Sequence, residues 1–190
     1  MLLADPSAPL TIARAAEAVG AKPMSLYRHF ADRDDLVAAV AQHVFADTRP
    51  ALPDGSPWED EIRAWMTAVY RRARQVPQLV QLMASGESAE WLGDSAHLAA
   101  VFERAGVSDD RVLAEAIYWV ATNTMGHAMI DAVGPEHLEP ERLRASLDRL
   151  SPDDAQRISR LIPHFDGMRE YSFDLVVDLT IEATRHLLVR

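Results

Sequence analysis

The sequence predicts an all-α protein built as a small N-terminal helix-turn-helix domain followed by a larger helical domain. Three observations carry that expectation. Apolar residues recur at helical spacing throughout, whereas the alternating Val/Ile/Thr runs of strands are missing. Two helical stretches near the N-terminus are separated only by Gly20, Ala21 and Lys22, a spacing that suits a helix-turn-helix. The run Arg49 to Pro57, RPALPDGSP, is the strongest break in the chain and sets the expected boundary between residues 1–49 and 50–190.

Each element follows from its local chemistry. Thr11 is an N-cap for a helix through Val19, and Gly20 suits a left-handed C-terminal position. Pro23 fits the first turn of a second helix running to Phe30, because its missing N–H costs nothing there. A third helix from Asp34 or Asp35 to about Asp47 opens with acidic residues that complement its dipole. Past the break, Trp58, Ile62, Trp65, Val69, Ala73 and Val76 form one apolar stripe ended by Pro77. A short helix through about Met83, a turn at Ser85–Ser88 and a helix over about Ala89–Ala105 ended by Gly106 come next. A long helix from Asp109 to Val133, capped by Ser108, is stopped by Gly134 and Pro135. Shorter helices over Pro140–Leu150 and Ser151–Ile162 lead to a last one from Tyr171 to the C-terminus.

Two of these helices carry two apolar stripes each, as expected of helices buried on two sides. In 109–133 they are Leu113, Ile117, Val120, Thr124 and Tyr118, Met125, Met129. In the last helix they are Phe173, Val176, Val177, Thr180, Ile181, Thr184, Leu187 or Leu188, and Leu175, Leu179, Val189. Central core helices have this pattern, and so do helices that pack a self-complementary dimer interface.

Composition bounds the function. The 190 residues are 48% hydrophobic, enough for a real core, and lack cysteine, which rules out disulfides and thiolate metal sites. No apolar run approaches a membrane span and no signal-peptide core is present, so a soluble cytoplasmic protein with no membrane partner is expected. The net charge of −10 argues at first against a nucleic-acid partner. Residues 1–49, however, hold five basic and six acidic residues, while residues 50–190 hold fourteen and twenty-three. Local donors can bind phosphates when the acidic excess lies elsewhere. No nucleophile elbow, phosphate-binding loop, dinucleotide fingerprint or paired Glu-x-x-His motif occurs, so neither catalytic residues nor a cofactor is expected. The pairs Asp94/His97, His127/Asp131 and Glu182/His186 have ligand spacing, but read as ordinary surface or capping pairs rather than metal sites.

The segment Leu10 to Leu36, LTIARAAEAVGAKPMSLYRHFADRDDL, is the informative one. Leu26 and Phe30 are i, i+4 on one face and point back at Ala15, Ala16 and Val19, whose small side chains permit close approach. Lys22, Pro23, Met24, Ser25, Tyr27, Arg28 and His29 are left outward. Such a set suits a major groove: Arg28 for a guanine edge, Met24 or Pro23 for a thymine methyl, and Tyr27, Ser25 and His29 for phosphates or bases. Thr11, at the start of its helix, can also reach a phosphate.

In residue types and spacing this segment resembles the DNA-binding core of the tetracycline-repressor (TetR) family. The matching residues are Leu10-Thr11, Ala16, Gly20, Ser25-Leu26-Tyr27, His29-Phe30 and Leu36. The resemblance implies a ligand-responsive repressor that binds a pseudo-palindromic double-stranded operator as a homodimer. It implies a phosphate contact from Arg33, where the family usually has Lys. For residues 58–190 it implies a ligand-sensing and dimerisation domain. An apolar cavity for an unknown small-molecule effector would there be lined by Trp65, Met66, Val69, Met83, Trp91, His97, Phe102, Trp119, Asn123 and His127. Core packing is the competing reading of the Trp and Met residues. Asn123, Thr122, Thr124 and His127 are the better hints, since buried polar groups need partners. The family also has a helix before this pair, of which only Leu2-Leu3-Ala4 looks like a last turn. Either natural residues precede Met1, the reading adopted, or tight DNA binding has been lost and the chain is a helical small-molecule-binding dimer.

Overall fold

The computed structural model describes residues 10–46, 50, 52–53, 55–76, 91–132, 139–165 and 168–189. Every regular element among them is helical. The expectations at Leu2-Leu3-Ala4, Pro77–Met83, Ser85–Ser88 and Gly134-Pro135 lie outside the described residues, as do the side chains of Met83 and Trp91.

The N-terminal unit contains α1 (Ile12–Ala18), α2 (Pro23–Leu26) and α3 (Arg33–Ala46). Thr11 caps α1, its hydroxyl accepting the Arg14 N–H at 3.3 Å. Gly20 follows with φ +65°, a left-handed geometry that a side chain would strain. Pro23 opens α2, which is shorter than the sequence suggests. After Leu26 the chain stays curled without continuing as helix: the N–H groups of His29 and Phe30 both donate to the Leu26 carbonyl, at 2.8 and 2.9 Å. At the start of α3, Asp32 accepts from the Asp35 N–H while Asp35 accepts from the Ala31 N–H, both at 2.9 Å. This reciprocal arrangement satisfies donors that the first turn would leave orphaned. Leu10, Ile12, Ala16, Leu26, Leu36, Val37 and Ala41 form the buried core of the unit. Val19 corrects the sequence reading: it is 71% exposed. It sits at the C-cap with φ −103°, past the last helical residue, where helical periodicity no longer directs its side chain.

No helix is described between Ala46 and Trp58. The larger unit is built on α4 (Trp58–Gln75), α5 (Trp91–Arg104), α6 (Asp110–Ala132) and α10 (Met168–Leu188). Helix α4 has Glu59, Asp60 and Glu61 in its first turn and Arg72 and Arg74 in its last, as its dipole favours. It buries Ile62, Trp65, Met66, Val69, Tyr70 and Ala73 against α5, α6 and α10. Helix α10 runs antiparallel to α4: Glu59 meets Arg185, Arg63 meets Asp178, and Tyr70 stacks on Phe173.

Shorter helices α7 (Pro140–Ala145), α8 (Pro152–Ser159) and α9 (Ile162–Phe165) cover 140–165. The expected helix Ser151–Ile162 ends early. Pro163 has no N–H and would clash with the preceding turn, so it occupies the first turn of a new helix instead. The helix expected over Pro140–Leu150 gives way after Ala145 to a 3-10 turn at Leu147–Arg149.

The two-stripe pattern of the long helices takes a definite form. On α6, Leu113, Ala116, Val120, Thr124 and Ala128 face the core, while Tyr118, Trp119, Met129 and Ile130 are exposed. On α10, Phe173, Val177, Thr180, Ile181 and Thr184 are buried, and Leu175, Leu179 and Val189 are exposed. No described helix is long and apolar enough to cross a membrane.

Candidate functional site

Helix α2 presents the first candidate surface. Leu26 is 9% exposed and Phe30 packs half-buried on the same core, so together they fix the inner face of a very short helix. The opposite face is then open: Lys22, Pro23, Arg28 and His29 are exposed, Met24 is 75% and Tyr27 52% exposed, and Ser25 is half-buried. An exposed Met and an exposed Tyr beside a cation and two further polar groups present both hydrogen-bonding and apolar surface. Readout of base edges and thymine methyls needs both. Thr11 uses its hydroxyl as the α1 cap. Arg33 donates through Nε to the Leu10 carbonyl at 2.9 Å and through Nη1 to Asp34 at 3.3 Å. Its guanidinium thereby ties the start of α3 to the segment entering α1.

The residues expected to line a cavity separate into three groups. Trp65, Met66, Val69 and Phe102 are buried in the core of the larger unit, and His97 is half-buried on α5. Trp119 lies on the exposed side of α6. Asn123 and Thr124 bond to their own helix, Asn123 Nδ2 to the Trp119 carbonyl at 2.7 Å and Thr124 Oγ1 to the Val120 carbonyl at 2.8 Å. Thr184 does likewise with the Thr180 carbonyl at 2.7 Å. Hydroxyls bonded four residues back are satisfied without a ligand or a partner helix. Trp65 is different: its indole N–H is buried and has no hydrogen-bond partner.

His127 leads to an arrangement that sequence spacing did not expose. Its ring lies 5.8 Å from that of Tyr70 and 5.6 Å from that of Phe173, and the latter two stack at 3.7 Å with planes 9° apart. The Tyr70 hydroxyl donates to the Asp131 carboxylate. Burial, reinforced by that hydrogen bond and by the Asp131 charge, pushes the Tyr70 phenol up to about 12. Burial also lowers the His127 pKa below its ordinary value, with Asp131 opposing. The Arg74 guanidinium lies 5.7 Å from the Tyr70 ring centroid. Around this cluster α4, α6 and α10 enclose an open cleft of about 370 Å³, lined by Thr67, Tyr70, Arg71, Arg74, Asp131, Phe173 and Asp174. Of these the sequence singles out Asp131, as half of a possible ligand pair, and Phe173, as part of an apolar stripe. The available signal was the run Tyr70-Arg71-Arg72-Ala73-Arg74, unusually basic for this acidic chain. Among the described residues no group of three or more acidic or histidine side chains is placed to hold a metal ion.

No protein-family model matches the chain, and no curated protein matches it in sequence. Solved structures do match its fold. The TetR-family protein ActR of Streptomyces coelicolor, in complex with (S)-DNPA, superposes with a TM-score of 0.76 at 17% identity, covering 96% of this chain and 90% of that one. A possible TetR-family transcriptional regulator from Streptomyces coelicolor A3(2) gives 0.73 at 24% identity, covering 95% and 90%. BioQ, solved with its double-stranded DNA operator, gives 0.60 at 21% identity, covering 95% and 91%. The chain therefore has the fold shared by TetR-family regulators, over nearly its whole length.

Proposed function

We propose that this chain, folded as TetR-family regulators are, is a ligand-responsive transcriptional regulator. In this reading residues 1–49 bind DNA, residues 50–190 bind an effector and dimerise, and the protein acts in the cytoplasm as a repressor without catalytic activity. The observation that carries the reading is the two-faced α2, whose Leu26 is anchored in the core while Lys22, Pro23, Met24, Tyr27, Arg28 and His29 stand outward. Arg28 reads a base edge, Met24 or Pro23 meets a thymine methyl, and Lys22, Ser25, Tyr27 and His29 fix the register on phosphates or neighbouring bases. Thr11 at the start of α1 and Arg33 at the start of α3 add phosphate contacts. BioQ was solved with an operator and ActR with small molecules, and both capacities are proposed here together.

Two copies join through the outward stripes of α6 and α10. The sequence from Ala116 to Ile130 has no Asp, Glu, Lys or Arg on either side of α6, which suits a helix covered on both. A two-fold pairing sets two α2 helices about one DNA turn apart on a pseudo-palindromic operator. Fluorescence anisotropy with the DNA flanking the protein's own gene, at stated salt, tests the proposal. Saturable binding that outcompetes random duplex is expected. Arg28→Ala is expected to cost about 1–3 kcal/mol and to relax selectivity at one base. Absence of sequence-preferred binding, also after any upstream codons are restored, refutes it. The net charge of −10 favours the competing reading, a small-molecule-binding dimer that leaves DNA alone, and effector binding without any duplex binding would establish that instead.

A further inference from the structure

The geometry points to the cleft between α4, α6 and α10 as the effector site, and to a single-ring hydroxylated aromatic carboxylate as its ligand class. This deepens the regulator reading and rests on it only for the biological consequence of binding.

Several arginines of the larger unit are met by carboxylates: Arg63 by Asp178 at 2.6 Å, Arg104 by Glu61 at 2.7 Å, Arg111 by Glu115 at 2.8 Å, and Arg185 by Glu59 and Glu182, whereas Arg72 bonds Gln75. Among the described residues Arg71 and Arg74 are in no ion pair, although Asp131 and Asp174 line the same cleft. At i, i+3 on one helix face the two guanidiniums can grip one planar carboxylate, an acceptor that their forked donors match. The opposite walls supply acceptors. Asp174 is exposed, and Asp131 already accepts from Tyr70. A compact polyanion such as phosphate would be repelled by these carboxylates. A monoanion with its charge at one end and a phenolic hydroxyl at the other satisfies both walls. Tyr70 and Phe173 line the cleft and add apolar ring surface beside the arginines. A volume of about 370 Å³ lies at the small end of ligand sites, which suits one ring better than a fused system.

Isothermal titration calorimetry of the full chain tests the assignment with 3,4-dihydroxybenzoate, 4-hydroxybenzoate and 3-hydroxybenzoate as probes. Catechol, benzoate and inorganic phosphate are the comparisons. At least one hydroxybenzoate is expected to bind once per chain, with catechol and phosphate about tenfold weaker or more. Arg71→Gln and Arg74→Gln should each weaken the hydroxybenzoate about tenfold. Arg72→Gln, whose parent side chain bonds Gln75 at 3.3 Å, should not. Asp174→Asn should shrink the preference for hydroxybenzoate over benzoate. Arg71, Arg74 and Asp174 are exposed, so these variants should fold, as a thermal melt verifies. Three results overturn the assignment: no binding by any of the three probes, equal binding by the Arg71→Gln/Arg74→Gln double variant, or phosphate binding as tightly as the acids. Operator binding is measured on the same samples. Intact DNA binding with failed probes sinks the cleft alone, whereas probe binding without DNA binding sinks the regulator reading and leaves the cleft.

Discussion

Leu179→Ala is the sharpest test of the dimer, because its cost can be worked from exposure. Leu179 is 60% exposed in the single chain and stands on α10 near Leu175, one turn earlier. Full burial of a leucine is worth about 1.5–3 kcal/mol, so covering the exposed part contributes roughly 1–2 kcal/mol per copy. A two-fold interface contains the residue twice, which gives roughly 2–4 kcal/mol per dimer. At 1.4 kcal/mol per decade, the dimer dissociation constant should rise about 30-fold to 1000-fold. Sedimentation velocity over a concentration series measures this directly. Val19→Ala serves as the control, since Val19 is a comparably exposed apolar side chain in the N-terminal unit. A wild-type chain that stays monomeric at every accessible concentration would refute the reasoning. So would a Leu179→Ala chain that dimerises as well as the control.

Leu26→Ala removes the anchor beneath α2 and should destabilise the N-terminal unit by about 2–5 kcal/mol in urea titrations, whereas Val19→Ala should stay within about 0.5 kcal/mol. Thr11→Ala removes the α1 cap and should cost about 1 kcal/mol in the same assay. Burial lowers the folded-state pKa of His127, so the unfolded chain binds more protons than the native one as pH falls below the ordinary histidine value of 6.5. Stability from this group is therefore present above 6.5 and lost on acidification through its lowered pKa. His127→Asn should flatten that part of a urea-midpoint profile against pH, and an unchanged slope would assign the acid sensitivity to another group.

What was legible in the sequence was local chemistry. Thr11, Gly20 and Pro23 mark their elements because capping, a left-handed residue and a missing N–H act within a turn of the chain. The stripe Ile62, Trp65, Val69, Ala73 and the core-facing stripes of α6 and α10 are equally readable, because periodicity records which face is covered, whereas the second stripes, expected to be covered as well, stand exposed in the single chain. Val19 departs from its stripe because it lies one residue past the helix that would orient it. The polar run in α6 suggested unmet hydrogen bonds, yet Asn123 and Thr124 turn back on their own carbonyls, which residue type alone does not reveal. The cleft was the largest omission. Tyr70 lies on the same buried face of α4 as Ile62 and Met66, where it reads as core, and its hydrogen-bond partner is 61 residues away. Pairings of that kind arise only when α4, α6 and α10 come together.

Those same helices decide how an effector could be felt at α2. The ion pairs joining α4 to its neighbours, Arg63–Asp178, Arg104–Glu61 and Arg185–Glu59, use arginines that are about half exposed, with Glu59 and Glu61 partly buried. Pairs of that kind are worth about 0.2–1 kcal/mol each, so they oppose only weakly a small shift of α4. The stacked Tyr70 and Phe173 and the Tyr70–Asp131 hydrogen bond are buried or half-buried, and they hold one end of α4 to the two helices that carry the outward apolar stripes. Helix α3, which continues from the α2 turn, packs on α4. A ligand in the cleft can alter operator affinity only by favouring one packing of this junction over another. Tyr70→Phe keeps the ring and removes the bond to Asp131, so it separates the two contributions. An effector response that survives this change rests on ring packing, and one that disappears rests on the hydrogen bond.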